Sequence, residues 1–167
     1  AGAAAAAEGP TPLLSDGQFV FGPNVAGFDL AGFLNAQDSL LAPYADMIEL
    51  HCAYASVNPR LVLALLEIED GLVRGEAPIE PAALEERIEA LTLALATRFY
   101  AQRAESALAS AQQDAPAPNA ATLALLETWG QARAAGAAAR LAAAFRPTWL
   151  SLFAGDDPLD ASNSIDP

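Results

Sequence analysis

"NPRLVLALLEIEDGLV", residues 58–73, decides how this chain folds. Asn58 offers a side-chain oxygen to the free N–H groups of a helix start, and Pro59 stands at the first helical position, where its missing N–H costs nothing. Gly71 supplies the stop. The residues between are almost wholly apolar, so the segment reads as a central core helix. On a wheel at about 100° per residue, Arg60, Leu63, Glu67 and Asp70 share one side, while Leu61, Val62, Leu65, Leu66, Ile68 and Leu72 cover most of the rest. Glu69 falls between Leu65 and Val62, inside the apolar sector, whereas Glu67 points the opposite way as an ordinary surface carboxylate. A carboxyl group in apolar surroundings has its ionised form disfavoured, which raises its pKa and suits it to general-acid work near neutral pH. The alternative for Glu69 is a pairing with Arg98 or Arg103 of the long helix that follows, or a place at the margin of the core.

The rest of the chain also reads as helix. Asp29 is the N-cap for a short helix over 29–36, and a second runs over 42–55. Pro81 opens a long helix to about residue 112, with Leu84, Ile88, Leu91 and Leu95 on one face and Glu85, Glu86, Glu89 and Arg103 on the wet side. Asn119 caps another to about Phe145. Pro147 is expected to end that one, and "TWLSLF" to fold back onto the core. No β-alternation of any length is present. The expectation is all-α: one helical domain of five or six helices over 17–155, a flexible tether over 1–16 and a polar tail or linker over 156–167.

Composition sets limits on function. The chain has 167 residues, 53% of them hydrophobic and 17% charged, enough for one domain that buries roughly 70% of its unfolded surface. Its net charge is −13, from 21 acidic residues against 8 basic ones, and every basic residue is arginine. Such a chain repels nucleic acid and anionic lipid. One cysteine, Cys52, excludes an internal disulfide, and one histidine, His51, excludes a multi-histidine metal site, so neither metal nor cofactor is expected. Cys52 reads as a buried inert thiol, His51 as structural, and Trp129 and Trp149 as core. The acidic turn of Asp156, Asp157 and Asp160 lacks the spacing of a calcium loop. No apolar run reaches the ~18 residues of a membrane span. The Ala/Gly/Pro-rich start reads as a tether left behind a removed export signal.

"SVNPRLVLALLEIEDG" resembles the motif around the catalytic glutamate of lysozyme-like soluble lytic transglycosylases, a "V-[DN]-P-x-L" helix start followed by "A-(apolar)-(apolar)-x-x-E-S-G". That resemblance places the family's acid at Glu69 and puts Asp70 where the family has serine. It implies a lysozyme-like scaffold with Asp70, Tyr100 and Arg103 as substrate-binding residues, the last two flanking a cleft near Glu69. A wider resemblance covers about residues 15–158, through "SDGQFVFGPNVAGFDLAGFLNAQDSLLAPYADMI", "SVNPRLVLALLE", "RFYAQR" and "LFAGDDP". It is to a helical domain found upstream of zinc-dependent peptidoglycan endopeptidase domains in some secreted bacterial proteins. The "G-L-M-Q" sugar-cleft segment of the lytic transglycosylases has no counterpart after Gly71, and the zinc peptidase motifs are absent.

Taken together, these readings imply an extracytoplasmic, cell-wall-associated domain. Its expected partners are peptidoglycan or another glycan and a cell-wall peptidase domain. It would be a non-catalytic or degenerate lysozyme-like module, with an active muramidase or transglycosylase using Glu69, and a purely structural adaptor, as alternatives. Turnover stays open at this level.

Overall fold

The computed structural model describes residues 10–22, 25–110, 119–131 and 133–160, and among these the chain is helical, with no strand. The elements are α1 (Asp16–Phe19), α2 (Leu30–Ala36), a 3-10 turn (Ala42–Tyr44), α3 (Ala45–Ala55), α4 (Pro59–Asp70), α5 (Pro81–Ser110), α6 (Ala120–Gln131) and α7 (Ala137–Leu152). None of these helices is long and apolar enough to cross a membrane.

α4 is the centre. Asn58 caps it, accepting from the Arg60 N–H at 3.0 Å, and the same side chain donates to the Gln18 carbonyl at 2.8 Å. The Asn58 N–H donates to the Phe19 carbonyl, also at 2.8 Å. The cap is thus a fully buried joint between α1 and α4. Every side chain from Leu61 to Leu66 is buried, including Leu63 on the side shared with Arg60, Glu67 and Asp70. α3, α5 and α7 all pack against α4, and a helix enclosed on all sides is apolar on all sides. Gly71 ends it at φ +63°. α5 lays Leu84, Ile88, Leu91, Leu95 and Phe99 inward, and Phe99 stacks on Phe19 with centroids 4.1 Å apart.

The C-terminal third departs from the expectation of one helix ended by Pro147. The chain breaks between α6 and α7, with Gly136 at φ +82° in a region that side-chain-bearing residues avoid. Pro147 lies inside α7. Its missing N–H removes one helical bond and its ring crowds the carbonyl one turn back, at about 3 kcal/mol. Phe145 and Trp149, on either side of it, are both fully buried, each worth about 1.5–3 kcal/mol, so packing outweighs the proline. The split, with the single turn of α1, brings the helices to seven among the described residues.

The termini also differ from expectation. Residues 1–9 and 161–167 lie outside the described residues, but Leu13 and Leu14, inside the expected tether, are buried in the core. Ser15 donates from its N–H to the Pro158 carbonyl and from its hydroxyl to the Asp160 carbonyl, each at 2.8 Å. Asp156 pairs with Arg60 at 3.2 Å. Apolar side chains at 13 and 14 and backbone pairing at 158 and 160 draw both ends into the domain.

Candidate functional site

The last turn of α4 climbs out of the core, and the order of burial expected from the wheel reverses there. The Glu67 side chain is 11% accessible and that of Glu69 28%. A wheel counts only α4's own neighbours, whereas Glu67 is roofed by the loop that follows Gly71. Its Oε2 accepts from the N–H groups of Val73 and Arg74 at 3.0 and 3.2 Å, and its Oε1 accepts from Arg74 Nε at 2.8 Å. Arg74 in turn donates to the Ser151 hydroxyl of α7 at 2.8 Å. Glu67 is a structural staple.

Glu69 sits in a polar seat, contrary to its expected apolar setting. Arg133 donates to Glu69 Oε1 from Nε at 2.9 Å and from Nη2 at 2.6 Å. Arg87 of α5 donates to Oε2, and its other terminal nitrogen holds Asp70 Oδ2 at 2.6 Å. The partners are therefore Arg87 and Arg133, in place of the expected Arg98 or Arg103. The first turns of α5 cross the end of α4, so position 87 arrives there. Arg98, further along, is bonded to Gln131 of α6, and Arg103 lies 3.8 Å from Asp16 of α1. Arg133 is held from below by a cation–π contact, 3.6 Å from the Trp129 ring centre, and Trp129 itself is buried.

Glu69, Arg87, Arg98 and Arg133 line one cleft of about 410 Å³, floored by Ala90, Leu91 and Ala94 and closed by Thr128 and Gln131. A general acid must present a proton-bearing oxygen to the leaving group. Both oxygens of Glu69 instead accept from guanidiniums, so the cleft is built to donate hydrogen bonds through arginine.

Tyr100 and Arg103 do not flank this cleft. They line a separate groove with Val20, Phe21, Ser56 and Phe99, in which Tyr100 is half exposed and packs edge-on to Phe99 at 5.3 Å. The structure thus brings Glu69 and Asp70 together and keeps Tyr100 and Arg103 apart from them. Burial, helped by the nearby Glu49 carboxylate, pushes the Cys52 thiol up to about 12, so it is no nucleophile at neutral pH. His51 faces away, 3.5 Å from Glu85. Trp149 is fully buried and donates to the Asp156 carbonyl at 3.1 Å.

Sequence reading misses Arg87, Thr128, Gln131 and Arg133, and brings Arg98 to Glu69 only as an ion-pair partner, where the structure has it as a neighbour in the same cleft. One signal is present: Trp129 and Arg133 stand four apart, the spacing at which a guanidinium reaches an aromatic face one helical turn away. The others meet only through the crossing of α4, α5 and α6.

Comparison with curated proteins and with solved structures finds no match to either. The family model described as "LasA, N-terminal domain" matches residues 12–164, which takes in every helix from α1 to α7 and both walls of the arginine-lined cleft. The chain belongs to the LasA N-terminal domain family.

Proposed function

We propose that this chain is a non-catalytic helical domain of an exported, cell-wall-acting bacterial protein, bound to peptidoglycan or another glycan or holding a peptidase domain against it. The family supports the setting, because LasA is a secreted staphylococcolytic peptidase and the family is that of its N-terminal domain. The lysozyme-like scaffold implied by residues 58–71 belongs to this proposal. One observation carries the non-catalytic reading: Glu69, the residue that the resemblance to lytic transglycosylases matches to their acid, has both its oxygens engaged by Arg87 and Arg133.

The test is incubation of the chain with purified peptidoglycan, followed by analysis of released muropeptides and of protein retained on the sedimented wall. Retention without release is the expected result. Release that disappears in Glu69→Gln would overturn the non-catalytic reading in favour of a muramidase or transglycosylase. Absence of both release and retention would favour the structural adaptor, a reading supported by the way the Glu69 network ties α4, α5 and the α6–α7 connection together.

A further inference from the structure

Three of the chain's eight arginines meet at the cleft beside Glu69. Their hydrogen-bonding is incomplete. Arg133 and Arg87 are engaged with Glu69 and Asp70, but Arg98 Nε is buried without a hydrogen-bond partner, the Glu127 carboxylate standing 3.7 Å away. The Thr128 hydroxyl, on a residue only 7% exposed, is also without a partner. Both residues line the same cleft; the guanidinium nitrogen is a donor and the hydroxyl can donate, so an acceptor oxygen would satisfy either. A buried donor left unpaired is costly, which favours any ligand that supplies that oxygen.

The floor of the cleft has different chemistry. Ala90, Leu91 and Ala94 present apolar side chains from the turns of α5 that precede Arg98. A ligand matching both parts carries a planar anionic acceptor at one end and small apolar groups beside it. Arginine recognises carboxylates through paired N–H groups, and the cleft volume of about 410 Å³ falls within the usual range for small ligands.

We propose that this cleft binds the free carboxylate end of a short peptide with small apolar side chains. Arg98 and Thr128 receive the carboxylate, and Ala90, Leu91 and Ala94 receive the side chains. Gln131, which already holds Arg98, is a positioning residue. The inference goes beyond the wall-domain reading and is measured separately from wall retention.

The test titrates the whole chain with N-acetyl-alanyl-alanine in its L,L and D,D forms, and with the C-terminal amide of each, at low salt, by amide chemical-shift perturbation. At least one of the acids saturates, shifting resonances of α5 and α6, and its amide binds about tenfold more weakly or worse. The enantiomer preferred distinguishes an ordinary protein terminus from a D-residue peptide. Thr128→Val, which keeps the shape and removes the hydroxyl, weakens binding several-fold, and Arg98→Gln weakens it more. Circular dichroism checks that each variant is folded, and if Arg98→Gln is not, Thr128→Val decides. Failure of both acids to saturate, equal binding of acid and amide, or wild-type affinity in a folded Thr128→Val overturns the proposal.

Discussion

The front and the end of α4 share one helix and obey different physics. From Asn58 to Leu66 the helix is enclosed, and even its polar cap is a buried joint whose side chain serves two segments at once. From Glu67 to Asp70 it is a surface helix whose carboxylates are met by arginines reaching from the following loop, from α5 and from beyond α6. Energy is held in volume and shape at the front, and in exchangeable charge pairs at the end. A site for ligands belongs at the second kind of place, because its groups can be re-partnered without opening the core.

Substitutions along α4 can break that contrast. Leu65→Ala should have the largest effect, about 2–5 kcal/mol of lost stability, measured by denaturant unfolding. Asn58→Ala should cost about 2 kcal/mol, more than an exposed cap, since it also removes the buried bond to the Gln18 carbonyl. Gly71→Ala should cost about 1–2 kcal/mol from the left-handed backbone alone, because a Cβ there meets no other atom within 4 Å. Glu69→Gln should cost no more than about 1 kcal/mol, with the difference shrinking as salt is raised, because its pairs are partly exposed. A Glu69→Gln effect larger than that of Asn58→Ala would show that the end of α4 is held as firmly in place as its front, and the contrast would be lost.

The same contrast explains how much can be read from sequence. Asn58, Pro59 and Gly71 mark α4 to the residue, because capping is local chemistry. The α5 face of Leu84, Ile88, Leu91 and Leu95 is equally legible, since periodicity carries it. Glu69 stands out in the sequence as a carboxylate that needs explaining, but its setting does not, because the wheel cannot know that the last turn of α4 overruns α5. Arg133 is harder still: the Ala-rich run around it reads as unbroken helix, and only the reversal at Gly136 shows otherwise. Pro147 misleads for the opposite reason, a local rule overridden by the burial of Phe145 and Trp149.

The pairing of Ser15 with Pro158 and Asp160 also has a topological consequence. The chain enters and leaves the domain at one point on its surface, so the helices between form a closed loop hung from a single hinge. A circular permutant that joins the two ends through a short linker and opens the chain between α5 and α6 should therefore keep the fold. A neighbouring domain attached at either end would lie next to the same spot, and could be exchanged or swivelled without threading the helices past one another.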